Sequence, residues 1–237
     1  MRTFGLIGKS LEHSFSSQYF NEKFFKEEID AQYFNFELNN ISEFQTLIKK
    51  QKLSGLNVTI PYKKSIIPFL DEISIEAKEI GAVNTIEFIN GKLIGHNTDI
   101  IGFTQSIFPI IESRNRALIL GNGGSALAVK LALKKLSIKY KTVNRNTSLD
   151  YSDITRQITE LHSIIINTTP LGTHPNTDDF PKIPYDYLNK THLLFDLIYN
   201  PTETKFLKYG KTKGSKIKNG LDMLQIQAEE SWNIWNL

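Results

Sequence analysis

The chain has 237 residues, 40% hydrophobic and 22% charged, the balance of a globular protein with a real apolar core. A net charge of +3 is too small to imply a nucleic-acid partner, and the absence of cysteine excludes disulfides, thiolate metal sites and a cysteine nucleophile. Apolar runs are too short to span a bilayer and no charged-then-apolar leader opens the chain, so no membrane partner is expected and the expected compartment is the cytoplasm.

In chain order, residues 3–8 read as a strand and 16–29 as a helix. Strands are expected at 33–38 and 53–59, separated by an amphipathic segment at 41–50. Residues 81–88 and 92–97 read as strands flanking Asn90-Gly91, a dipeptide suited to the two positive φ angles of a type I′ turn. Strands alternating with helices predict a mostly parallel sheet, to which this hairpin adds an antiparallel edge.

A helix is expected at 100–111, followed by strands at 117–120, 139–144, 163–167 and 193–197, with helical patterns between the first three. That is a βαβαβ Rossmann plan, and the fold class is α/β with two domains. Residues 205–218 carry six lysines but no arginine, and read as a solvated helix end and turn. An amphipathic helix at 221–235 is expected to return to the first unit. The expected division is therefore 1–99 with 220–237, and 100–219. The five histidines are scattered without an i, i+4 pair, so no metal is expected.

The strand before Gly121 runs straight into Gly121-Asn122-Gly123-Gly124-Ser125-Ala126 and an Ala/Leu-rich helix. Gly121, Gly123 and Ala126 have the spacing of a dinucleotide fingerprint. The first allows a tight turn, the second a close backbone approach to a pyrophosphate, and the third close packing of helix on strand. The alternative is an ordinary strand-to-helix turn. The second strand ends at Asn144-Arg145, without the acid that would bond a ribose 2′-hydroxyl. A guanidinium suits a 2′-phosphate, so NADP is the expected cofactor, although Leu149 stands where a second base would strengthen the case.

In the first unit, the segment from Gly55 through Asn57, Thr59 and Pro61 to Lys63-Lys64 ends a strand with polar side chains, a proline and two lysines. Taken alone, the pair reads first as two solvated lysines, while Asp99 fits a helix cap and Ser14 and Ser16 fit caps of the first helix.

These segments together resemble the shikimate dehydrogenase family over nearly the whole chain. The matching motifs are His13-Ser14-Phe-Ser16, Asn57 to Lys63, Gly81-Ala-Val-Asn84-Thr85, Asn97-Thr98-Asp99 through Gly102, and the glycine loop. They continue with Asn144-Arg145, Asn167-Thr-Thr169-Pro-Leu-Gly172, Asp196-Leu-Ile-Tyr199-Asn-Pro201, and Asn219-Gly220-Leu-Asp-Met223 through Gln227-Ala228. The resemblance implies that Ser14, Ser16 and Tyr199 hold a substrate carboxylate and that Asn57, Thr59, Asn84 and Gln227 bond ring hydroxyls. It implies Lys63 and Asp99 as the catalytic pair, with Thr169, Gly220 and Met223 at the nicotinamide end. The chain departs from the family at Asn146, where threonine is usual.

The implied reaction is reversible NADPH-dependent reduction of 3-dehydroshikimate to shikimate, in chorismate and aromatic amino-acid biosynthesis, by a monomer or homodimer. A Lys63 ammonium suits it, as donor of the proton that the ketone oxygen takes up. The rival readings are a quinate/shikimate paralogue using NAD(P), and a dinucleotide-binding regulatory protein without catalysis, which would need neither Lys63 nor Asp99.

Overall fold

The computed structural model describes residues 1–12, 14–144 and 149–237. His13, Arg145 and Asn146 lie outside the described residues. Two compact units divide the chain, Met1–Thr98 with Ala228–Leu237, and Asp99–Gln227.

Strand β1 (Arg2–Gly8) shows the side-to-side alternation that organises the first unit. Phe4 and Leu6 enter one apolar cluster with Phe20, Phe24 and Trp235, whereas Ile7 enters another with Leu56, Val58 and Phe44. Helix α1 (Phe15–Lys26) follows, then β2 (Ala31–Glu37), helix α2 (Phe44–Lys50) and β3 (Gly55–Val58). The two-residue β4 (Glu72–Ile73), helix α3 (Ile75–Ile80), β5 (Thr85–Ile89) and β6 (Lys92–His96) complete this part.

The strand order is β2-β1-β3-β5-β6-β4. Pairs β1–β2, β1–β3 and β4–β6 are parallel, and β3–β5 and β5–β6 antiparallel. The expected hairpin forms, with φ of 51° at Asn90 and 76° at Gly91, but β4 rather than the hairpin closes the sheet. The strand expected from residue 81 begins only at Thr85. Gly81 instead ends α3 in the left-handed conformation, φ 68°, and donates its N–H to Ala77 O.

The end of the chain contributes Trp235 to this unit. Its indole stacks on Phe4 with ring centroids 4.8 Å apart and donates Nε1–H to Ile86 O at 3.0 Å. A Cβ on Gly55 would strike that indole, so the glycine and the tryptophan are matched. Trp235→Ala is expected to lower the stability of this unit by about 3–5 kcal/mol, from lost burial and the cavity left behind. Urea unfolding followed by far-UV circular dichroism measures it.

The second unit opens with helix α4 (Asp99–Ile111) and continues with β7 (Arg116–Leu120), helix α5 (Gly124–Lys135) and β8 (Lys139–Val143). Helix α6 (Arg156–Leu161), β9 (Ile164–Asn167), β10 (Leu193–Asp196), helix α7 (Lys205–Thr212) and β11 (Lys216–Lys218) come next. Helix α8 (Leu221–Ile234) ends the series, its residues as far as Gln227 belonging to this unit and those from Ala228 on to the first. The sheet is wholly parallel in the order β11-β10-β9-β7-β8. Its strands are apolar in unbroken runs where both faces are covered, as in Ile164, Ile165 and Ile166.

The lysine-rich segment forms all of α7 and the edge strand β11, more structure than the expected helix end and turn. Apolar Phe206, Leu207 and Gly210 turn inward while the lysines stay on the outer side. The second unit also keeps residues 220–227, beyond the expected boundary at 219. The reason is tight packing of α8 on α4. A Cβ on Gly102 would lie 2.6 Å from Met223 O and 3.0 Å from Gln227 Cβ.

Candidate active site

In the first unit, alternation along β3 sends Leu56 and Val58 into the core and leaves Asn57 to the opposite face. There Asn57, only 5% exposed, is held on both ends of its amide. Oδ1 accepts from the Tyr33 hydroxyl at 2.8 Å, and Nδ2 faces Ser231 Oγ at 3.0 Å, Thr85 Oγ1 at 3.1 Å and Asn84 O at 3.2 Å. Burial holds the Tyr33 phenol well above the ordinary range, against the opposing influence of the Ser16 hydroxyl. Tyr33, Asn57 and Ser231 therefore form one buried polar chain, and half-buried Ser16 lies near its Tyr33 end. Asn57 Oδ1 keeps a second lone pair for a further donor.

Asn84 lies beside this chain. Its Oδ1 accepts from Thr98 N at 2.8 Å and its Nδ2 donates to Thr98 Oγ1 at 3.0 Å, which fixes the segment leading to Asp99. Ser14 caps α1, accepting from Ser17 N at 3.4 Å, so its capping reading holds. Ser16 sits one residue beyond the first position of α1.

After β3 the backbone turns sharply. Thr59 N donates to Ile7 O at 2.9 Å and Tyr62 N to Thr59 O at 2.8 Å, while the Tyr62 hydroxyl donates to Leu38 O at 2.5 Å. Val83 N donates to Lys63 O at 2.7 Å. The turn is thus pinned by main-chain bonds and by buried Tyr62. It leaves Lys63 half-buried and Lys64 exposed, which separates the two lysines.

In the second unit, the strand order is that of a doubly wound sheet with its switch point between β7 and β9. Two loops leave the carboxyl ends of those strands. Gly121 follows β7 with φ 105°, and a Cβ there would lie 2.7 Å from Thr168 Oγ1 and 3.0 Å from Thr169 Cγ2. Gly123 is the N-cap of α5 and offers no side-chain cap to the first turn. A Cβ on Gly123 or Gly124 would meet nothing within 4 Å.

Uncapped N–H groups at the positive end of a helix, beside open space, fit a pyrophosphate. Ser125 lies in that first turn, Ala126 is fully buried behind it, and Asn122 Oδ1 accepts from Lys130 Nζ at 2.5 Å. Asn144 follows β8 and donates its N–H to Leu149 O at 3.1 Å.

The loops after β9 and β10 are linked through Asn167 and Asp196. Asn167 Oδ1 accepts from Thr169 N at 3.0 Å and Thr169 Oγ1 at 2.6 Å, and its Nδ2 donates to Asp196 Oδ1 at 3.0 Å. Asp196 also accepts from Ile198 N at 3.1 Å and Thr204 Oγ1 at 2.6 Å. Burial pushes its carboxyl up to about 6 against those three donors. Half-buried Tyr199 follows, its phenol raised by burial.

Gly220 donates its N–H to Ile198 O at 3.0 Å and lies so close to Leu197 that a Cβ would strike the Leu197 carbonyl. Met223 and Gln227 are buried on α8, where Gln227 Nε2 donates to Leu224 O at 2.9 Å. Asp99, 7% exposed, is the first residue of α4 rather than its cap. Among the described residues no group of three or more His, Cys, Asp or Glu is arranged to hold a metal. Among the same residues, no helix is long and apolar enough to cross a membrane.

The profile of the shikimate dehydrogenase substrate binding domain matches residues 6–86. The NADP(+) shikimate dehydrogenase of Clostridium beijerinckii is 40% identical, covering 99% of this chain and 92% of that protein. The chain belongs to the shikimate dehydrogenase family. The crystal structure of the family member from Aquifex aeolicus superposes with a TM-score of 0.90 at 37% identity, over 100% of this chain and 92% of that one. The Thermus thermophilus enzyme, solved with NADP(H) and shikimate, gives a TM-score of 0.89 at 27% identity, over 99% and 93%.

Within each unit, the residues that the family motifs single out fall into shared hydrogen-bonded groups. Asn57 and Asn84 belong to one. Thr169 packs against Gly121, and Gly220 bonds the residue before Tyr199. Sequence reasoning passed over Tyr33 and Ser231, which hold the Asn57 amide, and over Asn167 and Asp196 as more than motif letters. The available signal was position. Asn167 and Asp196 are polar residues ending two otherwise apolar buried strands.

Proposed function

We propose that this chain catalyses the reversible, NADPH-dependent reduction of 3-dehydroshikimate to shikimate, the first unit binding substrate and the second binding NADP. The single observation that carries the reading is the half-buried Lys63 on a turn pinned by main-chain bonds, beside a buried group of neutral polar side chains. NADPH, when bound, supplies the hydride that the ketone carbon accepts.

The chain's own residues do the rest. Lys63 gives its proton to the ketone oxygen as charge develops there. Asp99 accepts a hydrogen bond from a substrate hydroxyl. Ser14, Ser16 and Tyr199 hold the carboxylate with hydroxyl groups, and Asn57, Thr59, Asn84 and Gln227 take the ring hydroxyls. The glycine loop from Gly121 to Ala126 receives the pyrophosphate. Asn144 and Arg145 receive the 2′-phosphoadenosine end, and Thr169, Gly220 and Met223 face the nicotinamide. We infer further that the chain acts on this small-molecule substrate in the cytoplasm, as a monomer or homodimer.

Initial rates with shikimate and quinate, each with NADP+ and NAD+, test the assignment. Shikimate with NADP+ is expected to give the highest kcat/KM. Arg145→Ala should raise the KM for NADP+ by about tenfold or more, the scale of a charge-assisted hydrogen bond, and leave that for NAD+ nearly unchanged. Equal effects on both cofactors would remove the 2′-phosphate argument, and a preference for quinate would remove the substrate assignment.

A further inference from the structure

We propose that Asp196 is a positioning residue whose buried carboxylate fastens the Thr169 turn to the loop carrying Tyr199, so that the two are held as one piece. The inference deepens the proposed function, resting on its roles for Thr169 and Tyr199. Asn167 and Asp196 end adjacent parallel strands in register and are both fully buried. One side of the Asn167 amide takes both donors of Thr169, and the other side donates to Asp196. The same Asp196 oxygen accepts from Ile198 N, the residue before Tyr199, and the second oxygen is taken by Thr204 at the start of α7.

Main-chain bonds brace the arrangement, Leu197 N donating to Asn167 O at 3.0 Å and Gly220 N to Ile198 O at 3.0 Å. A buried carboxylate held by the neutral donors of Asn167, Ile198 and Thr204 is costly to keep, and its charge strengthens each of the three hydrogen bonds that converge on it. A carboxylate can accept from two loops and a helix cap at once, because every site on its oxygens is an acceptor. Here Oδ1 alone joins the Asn167–Thr169 turn to Ile198, and Oδ2 fastens that junction to Thr204.

The test uses the full-length chain with Asn167→Asp, Asp196→Asn and the double variant. Asn167→Asp sets two carboxylates face to face. It should speed amide hydrogen exchange in residues 168–172 and 197–200 together in the ligand-free protein. It should also raise the shikimate KM and the NADP+ dissociation constant, read by fluorescence, each by about tenfold or more. Asp196→Asn can turn its Nδ2 toward Thr204 Oγ1 and should fold, with smaller changes of the same sign in both segments. The double variant restores a donor–acceptor pair and should recover part of both losses.

Faster exchange in only one of the two segments would overturn the proposal. So would unchanged exchange in Asp196→Asn, or a double variant as impaired as Asn167→Asp. If the unsubstituted chain turned over no shikimate, the functional reading would fail, while the exchange result would still decide whether Asp196 ties the loops.

Discussion

Lys63→Ala is expected to cut turnover by roughly 10²- to 10⁴-fold, the usual contribution of a positioned general acid, while the NADP+ dissociation constant stays within about twofold of its original value. The separation follows from how the turn is built. Its shape is held by Ile7 O, Thr59 O and Lys63 O together with the buried Tyr62 ring, so the backbone does not depend on the Lys63 side chain. The glycine loop belongs to the other unit and has its own anchors, among them Gly121 N donating to Val143 O at 2.9 Å.

Lys63→Arg distinguishes proton donation from simple charge. A guanidinium keeps the positive charge but does not give up its proton at accessible pH. If Lys63 is the acid, arginine should bind substrate yet restore little of the rate. Rates near normal in Lys63→Ala would refute the assignment, and rates near normal in Lys63→Arg would reduce Lys63 to an electrostatic role. Steady-state kcat and a separate fluorescence titration of NADP+ measure the two quantities independently.

Features that depend on neighbours in the chain were the legible ones. The apolar run into Gly121, the Asn90-Gly91 turn and the amphipathic α8 each carry their own local pattern. The misreading at residue 81 has a physical origin. Gly81-Ala-Val looks like the start of a strand, but α3 before it is only six residues long and gives too little periodicity to reveal its αL glycine cap. Strand β4 has two residues and exists only because β6 receives it.

Ser231 is a starker case. It bonds Asn57 across 174 residues of sequence, and in its own helix it reads as one more polar residue before Trp232. Nor does any local pattern indicate that Asn167 and Asp196 will end adjacent strands. The proposed acid, Lys63, was singled out by family motif, and its distinction from Lys64 rests on burial alone.

Gly121 and Gly123 belong to the same fingerprint but should fail in opposite ways when changed to alanine. At Gly121 the φ of 105° is a region that side chains rarely adopt, a strain of about 1–3 kcal/mol. The new methyl would also press on Thr168 Oγ1 at 2.7 Å and Thr169 Cγ2 at 3.0 Å, where overpacking costs about 1–3 kcal/mol more. Gly121→Ala should therefore lower the thermal unfolding temperature and disturb Thr169 even without cofactor. At Gly123 the backbone is extended, φ −78° and ψ −172°, which alanine adopts freely. Its methyl would meet nothing within 4 Å. Stability should change by less than about 1 kcal/mol, the cost of a poorer N-cap.

The methyl would, however, stand in the open space beside the uncapped N–H groups of α5, where the proposed pyrophosphate site needs close approach to the backbone. Gly123→Ala should weaken NADP+ binding by about tenfold or more, equivalent to roughly 1.4 kcal/mol, with unfolding little changed. Differential scanning fluorimetry with and without NADP+ reads both effects. Loss of stability in Gly123→Ala, or undiminished stabilisation by NADP+, would mean that its missing side chain serves the fold rather than the phosphate. The pair of variants separates the glycine that makes the turn from the glycine that admits the ligand.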